Sequence, residues 1–245
     1  MRKRKYVALR MGHDGSEFSD DDRGVDDTTT TTDEAGTRGV GAHPHRHDAA
    51  GAGFPIPRCH NIVSTSQIIT SQRHIDLQRL ADLFHFTTYD RKRFAAITIR
   101  LANPHCTCLL FGSGKLVITG STSFSACMVA SQEITRILRR ASPRDTFEVS
   151  SCHVQNLVGH VSLPEGTTID LDRLYERFNE QSTYQRSVFP GLVLRPPHSP
   201  IVLLIFTSGR IVCTGGRSYN DIYFGFGAIY PTLLPFIRPP TVAAD

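Results

Sequence analysis

Apolar and polar positions along this chain fall into short blocks with two different periods. Residues 58–65 read as a short strand. Ile75 to Phe86 carries apolar residues at 75, 77, 80, 83, 84 and 86, a spacing that predicts a helix. β-Branched alternation from Phe94 to Leu101 predicts a strand, Ala102-Asn-Pro-His105 a turn, and Cys106 to Phe111 the partner strand. Gly112-Ser-Gly114 turns the chain again, and Lys115 to Thr119 predicts a third strand. Ser121 to Arg140 follows as an amphipathic helix with Met128, Ile134, Ile137 and Leu138 on its apolar side.

The same blocks return 95 residues later. Asn61-x-Val63 recurs as Asn156-x-Val158, and Tyr89, Phe94 and Arg100 recur as Tyr184, Phe189 and Arg195. Phe111-x-Ser-Gly-Lys115-x-Val117-x-Thr119-Gly120 recurs as Phe206-x-Ser-Gly-Arg210-x-Val212-x-Thr214-Gly215. The Ile-Asp-Leu-x-Arg-Leu pattern from Ile75 returns from Ile169 at an offset of 94, so one residue was gained or lost between strand and helix. A fixed offset over so many positions marks a duplicated structural unit. The pattern predicts an α+β fold: two pseudo-symmetric repeats, residues 54–145 and 146–240, forming one curved antiparallel sheet with helices on one face.

Period 2 places Asn61 with Val63, Leu109 with Phe111, and Val117 with Thr119 on common faces, and likewise Asn156 with Val158, Leu204 with Phe206, and Val212 with Thr214. One sheet face is then apolar with a few amides and hydroxyls. That chemistry suits an A·T-rich minor groove, whose floor offers only adenine N3 and thymine O2 acceptors. A hairpin centred between residues 102 and 103 pairs positions summing to 205 and sets Phe94 opposite Phe111. The second hairpin, turning at Pro197-His198 with a sum of 395, sets Phe189 opposite Phe206. Paired phenylalanines at both ends of a symmetric sheet suit insertion between DNA base steps. No repeated nucleophile, base or metal ligand accompanies them, so the pattern points away from an enzyme.

Composition divides the chain. Residues 1–53 hold 8 Lys and Arg against 10 Asp and Glu, and nine of those acids lie between Asp14 and Glu34. With no apolar periodicity, this stretch reads as a disordered acidic and His/Gly-rich tail. The remainder has 19 Lys and Arg against 13 Asp and Glu, a basic balance that suits a polyanion. Met1-Arg-Lys-Arg-Lys5 is a short basic run of the kind that directs proteins to the nucleus. No apolar run has the length of a membrane helix, and no secretory signal is visible. The six cysteines lack paired CxxC spacing and read as reduced core residues. His105-Cys106-x-Cys108 has no second ligand pair, so no metal and no cofactor is expected.

From about Phe54 to Ile237 the chain resembles the core of the TATA-box-binding protein family. The resemblance rests on His60-Asn-Ile-Val-Ser-Thr65, Lys92-Arg-Phe-Ala-Ala96, Gln155-Asn-Leu-Val158, Phe189-Pro-Gly-Leu192 and Ile201-Val-Leu-Leu-Ile-Phe-x-Ser-Gly209. It implies a saddle-shaped fold with helices on the convex face, which binds and bends A·T-rich promoter DNA and nucleates a transcription initiation complex in the nucleus. Phe94, Phe111, Phe189 and Phe206 match the family's intercalating phenylalanines. Asn61, Val63, Leu109, Val117, Thr119, Asn156, Val158, Leu204, Val212 and Thr214 match its minor-groove contacts. Arg93, Arg100, Lys115, Arg195, Arg210 and Arg217 match positions facing phosphates. The implied partners are double-stranded DNA, bound by a monomer, and general transcription factors of the IIA and IIB kinds; no membrane is expected.

The departures from the family are specific. Thr122, His198 and Pro200 stand where lysines are usual, which predicts weaker electrostatic attraction to DNA. His60 replaces a glutamine and His160 a serine. Tyr184-Gln-Arg-Ser-Val188 lacks the two glutamates expected to contact factor IIB, which puts that contact in doubt at Gln185 and Ser187. The helix from Ser121 keeps only Arg136, Arg139 and Arg140 of the usual basic residues. These changes leave open a divergent relative with altered partners, from a virus or a parasite, and a scaffold that has lost DNA binding. The four phenylalanines and two asparagines favour the DNA-binding reading.

Overall fold

The computed structural model describes residues 54–240. The acidic tail, its basic leading run and its histidines lie outside that range.

The first half runs β1 (Arg58–Thr70), α1 (Leu77–Leu83), β2 (Thr87–Thr88), β3 (Ala96–Ala102), β4 (His105–Phe111), β5 (Lys115–Ser121), α2 (Phe124–Ala141) and β6 (Phe147–Val149). The second runs β7 (His153–Ser162), β8 (Thr168–Ile169), α3 (Leu171–Arg177), β9 (Ser182–Thr183), β10 (Leu192–Leu194), β11 (Val202–Ile205), β12 (Arg210–Gly216), α4 (Tyr219–Leu233) and β13 (Ile237–Arg238). One sheet holds the order β2-β3-β4-β5-β1-β7-β12-β11-β10-β9, with β6 added beside the far end of β1. The two halves join through β1 and β7, which pair antiparallel at the sheet's centre. There Asn61 faces Val158 and Val63 faces Asn156, a reciprocal exchange that marks the pseudo-two-fold axis.

Each half contributes its own core. Alternate residues of the strands turn inward: Ile97, Ile99, Cys108, Leu110, Leu116 and Ile118 in the first half, and Leu192, Leu194, Leu203, Ile205, Ile211 and Cys213 in the second, are all fully buried. Ala130, Ile134 and Leu138 of α2 cover the first set, and Ile222 and Phe226 of α4 cover the second. The sheet therefore has one face sealed by helices and one face open.

The repeated Ile-Asp-Leu-x-Arg-Leu motif is a helix start. Asp76 and Asp170 cap α1 and α3, their side chains accepting from the backbone amides of Arg79 at 3.0 Å and Arg173 at 3.2 Å. The flanking Ile75, Leu77 and Leu80, with Ile169, Leu171 and Leu174, are buried. Ser123 caps α2, and Ser218 with Asp221 forms a capping box on α4.

Three expectations need correction. The helix expected over 75–86 covers only Leu77–Leu83, because Phe84 leaves it with an extended φ of −130°. The strand expected over 58–65 continues to Thr70, because β6 gives its far end a partner. The hairpin registers are two off in the pair sum: Ala102 pairs with His105 and Ala96 with Phe111, and Leu192 pairs with Ile205. The first hairpin thus turns on Asn103-Pro104, and the second turns one residue later than expected. Phe94 and Phe189 consequently precede their strands instead of facing their partners across them.

Candidate nucleic-acid interface

The open face is lined by the side chains that period 2 placed there. Asn61, Val63, Leu109, Phe111, Val117 and Thr119 are half-buried, as are Asn156, Val158, Leu204, Phe206, Val212 and Thr214, while the intervening Ile62, Leu110, Leu116, Ile118, Leu157, Leu203, Ile205, Ile211 and Cys213 are buried in the cores. Leu109 pairs with Val117, and Leu204 pairs with Val212. The floor is therefore an apolar plain, symmetric about the β1–β7 axis, with amides near its centre.

The two asparagines are held in a defined orientation. Asn61 Oδ1 accepts from the backbone amide of Gly120 at 2.7 Å, and Asn156 Oδ1 accepts from that of Gly215 at 2.8 Å. Both glycines have left-handed φ, +91° and +97°, which turns their N–H groups toward the amides. With the oxygen fixed by a backbone donor, the Nδ2 group is the donor end available to the open face. On one side that nitrogen also reaches Thr214 Oγ1 at 3.1 Å.

The phenylalanine pairs meet despite the shifted register. Ring centroids of Phe94 and Phe111 lie 5.8 Å apart, and those of Phe189 and Phe206 5.6 Å, both edge-to-face. Phe94 and Phe189 sit at the ends of matching turns, their amides donating to the carbonyls of Asp90 and Gln185 at 2.9 Å. Close approach is possible because the residue beside each pair is small. A Cβ added to Gly191 would come within 2.8 Å of the Phe189 ring and 3.0 Å of the Phe206 ring. Ala96 holds the equivalent place in the first half. Phe94 is 48% exposed.

The six basic candidates are all exposed. Arg100 shares the face of Leu109 by register, Lys115 that of Val117, and Arg210 that of Val212. Arg195 follows β10, and its backbone amide bonds to Gln181. Arg93 pairs with Asp90 at 3.3 Å in an exposed ion pair. Arg217 lies at the start of α4, its backbone amide held by the Asp221 carboxylate at 2.8 Å.

Several residues of the open face were not among the sequence candidates. Thr98 faces Leu109 and Thr107 faces Thr119, with Val193 and Val202 at the equivalent positions of the second half. Extending period 2 by one step along each strand finds them. Thr65, Arg58 and the two imidazoles of His60 and His160 lie along the same central strands.

Elsewhere, Cys106 and Cys108 point into the first core while His105 is exposed, so the three do not converge. All six cysteines are free thiols, four of them buried. No helix among the described residues is long and apolar enough to cross a membrane. In the segment before the second phenylalanine pair, Arg186 bridges Tyr184 and Asp172, and Val188 is 78% exposed.

Known proteins resemble the chain across both repeats. The family model described as "Transcription factor TFIID (or TATA-binding protein, TBP)" matches residues 56–141 and again 151–236, once per repeat. The TATA-box-binding protein of Caenorhabditis elegans is 38% identical over 183 residues, 75% of this chain and 52% of that protein, so the chain spans about half its length. That of Saccharomyces cerevisiae is 35% identical over 87% of this chain and 85% of its own length, and that of Dictyostelium discoideum 35% over 85% and 94%. The solved structure of Methanococcus jannaschii TBP is 27% identical, with a TM-score of 0.60 over 74% of this chain and 99% of that one. The chain belongs to the TATA-binding protein family.

Proposed function

We propose that this chain is a DNA-binding transcription initiation factor that lays the open face of its sheet into the minor groove of A·T-rich promoter DNA and bends it. The observation that carries the reading is the pair of edge-to-face phenylalanine couples flanking an apolar floor with two oriented asparagine amides. Phe94, Phe111, Phe189 and Phe206 act as wedges that unstack base steps at the two ends, a mechanism for which this family is itself a reference case. Asn61 and Asn156 donate to acceptors on the groove floor. Val63, Leu109, Val117, Val158, Leu204 and Val212, with Thr119 and Thr214, exclude the exocyclic amine that guanine would add.

Arg93, Arg100, Lys115, Arg195, Arg210 and Arg217 supply phosphate contacts and hence the salt dependence. The protein binds as a monomer, in the nucleus, and the reading assigns it no catalytic chemistry. General transcription factors of the IIA and IIB kinds dock on it, with the IIB contact altered at Gln185 and Ser187.

A gel-shift titration on an A·T-rich TATA duplex and a G·C-rich control tests this. Tight, A·T-selective binding by the native chain, lost in Phe189→Ala/Phe206→Ala, is the expected result. Equal affinity for both duplexes would refute groove reading.

A further inference from the structure

The pseudo-two-fold axis makes each residue of the open face comparable with one 95 positions away, and at one place the two halves differ in charge. Arg58 pairs directly with His160 across the β1–β7 ladder. His160 is in turn the register partner of Val212, and Arg210 that of Ser162 two residues along. His60, the extra residue where the register shifts between Cys59 and Asn61, brings its ring to 5.4 Å from that of His160. The equivalent residues on the other side are His153, Gln155, Thr65 and Lys115. There a neutral hydrogen bond from Gln155 Nε2 to Thr65 Oγ1, at 2.8 Å, replaces the imidazole pair.

Two arginines and two imidazoles are thus gathered beside the groove-reading floor. The charged groups acting on His160 are His60 and Arg58 from β1 and Arg210 from β12; no carboxylate is among them. Burial, and then these cationic neighbours, hold the His160 imidazole below its ordinary pKa. A cationic cluster without a counter-ion, on a face that receives a polyanion, is arranged for an anion.

We propose that Arg58, His60, His160 and Arg210 form a phosphodiester-binding site that grips the DNA backbone on one side of the dyad only, and that binding there takes up a proton. The proposal rests on the DNA-binding reading above and adds Arg58, His60 and His160 to it. A phosphate seated among these groups offsets the repulsion from His60, Arg210 and Arg58 that adds to burial in keeping His160 neutral, so the bound state favours the imidazolium. By linkage, affinity then rises as pH falls toward the His160 pKa, by at most about tenfold per pH unit for one proton, and levels off below it.

The test is the Kd of the full chain for an A·T-rich duplex at constant ionic strength, from pH 8 to 5.5. The comparison is His60→Gln/His160→Thr, which copies the opposite half. The native chain should tighten several-fold over that range. The variant should show a flat profile across the same range. Equal profiles for the two proteins, or a flat native one, would overturn the site while leaving A·T-selective binding intact. Absence of selective binding at every pH would overturn the parent reading and the site with it. Arg58→Gln, which keeps both imidazoles, gives a second arm: the slope of log K against log salt should fall by about 0.9, the value for one phosphate contact, and an unchanged slope overturns the proposal. Inorganic phosphate alone should leave the His160 ring resonances in place; a shift with phosphate and none with duplex would mean the site takes the free ion, contrary to the proposal.

Discussion

The backbone amide of Gly215 donates to Asn156 Oδ1 at 2.8 Å, and with the Thr214 hydroxyl, which donates to the same oxygen at 3.2 Å, it fixes which end of the asparagine is the acceptor. Asn156→Asp keeps the acceptor that Gly215 uses and replaces the exposed donor with a negative oxygen. Affinity for an A·T-rich duplex should fall by about 1–3 kcal/mol, the range for losing a good base-edge contact, with little change in thermal stability. Asn61→Asp should behave alike, because Gly120 plays the same part at 2.7 Å. Anisotropy titration beside a melting curve checks both.

The two glycines that hold these amides differ in what surrounds them. A Cβ on Gly215 would meet the carbonyl oxygen of Pro200 at 2.5 Å, whereas one on Gly120 finds its nearest atom, Cys106 Cα, at 3.6 Å. Both substitutions bear the cost of a left-handed alanine, about 1–2 kcal/mol. Gly215→Ala should therefore lower Tm clearly more than Gly120→Ala in matched scans; equal losses would contradict the steric difference.

Leu109 and Leu110 are adjacent, yet they belong to different faces. Leu110 is fully buried in the first core and Leu109 faces outward beside Val117. Leu110→Ala should cost about 2–5 kcal/mol of stability. Leu109→Ala should cost far less stability and should weaken DNA binding. Denaturant unfolding and a gel shift on both variants separate the two effects.

The DNA-free protein should lose stability as acidity rises through the histidine range. The folded His160 imidazole binds its proton less readily than the unfolded one, because of burial and then its cationic neighbours. The unfolded chain therefore takes up more protons below the ordinary histidine value of about 6.5, and stability falls with pH there. Urea midpoints at pH 7.5 and 5.5 should differ less in His160→Thr than in the native chain.

At the other end of the scale, burial pushes the Cys213 thiol up to about 12 and also raises Cys59 and Cys127. The unfolded thiols ionise first, so stability is complete below their ordinary range and declines as pH rises above it. Cys213→Ala should flatten that alkaline decline, read as the change in urea midpoint between pH 8 and pH 10.

The sequence by itself determined the duplication, the alternation of the strands and which side chains line the open face. Each of these follows from local periodicity: the offset of 95 between Asn61 and Asn156, and the period-2 rule that separates Leu109 from Leu110. The two short helices were also legible in the repeated Ile-Asp-Leu-x-Arg-Leu motif, although each starts two residues later than the periodicity suggested, after its aspartate cap. What only the tertiary structure decided depends on non-local geometry. The hairpin registers were set by which residues the turns at Asn103-Pro104 and near His198 consume, and a shift of one residue in a turn moves a pair sum by two. The phenylalanine pairs survive that shift because Phe94 and Phe189 are aimed by loops anchored on Asp90 and Gln185, and because Ala96 and Gly191 leave room for the rings. The orientation of the asparagine amides needed the left-handed glycines of a neighbouring strand. The gathering of Arg58, His60, His160 and Arg210 needed three strands, β1, β7 and β12, to be laid side by side in one register. Periodicity along a strand reveals which face a side chain takes, and only the pairing between strands reveals which side chains share a place on it.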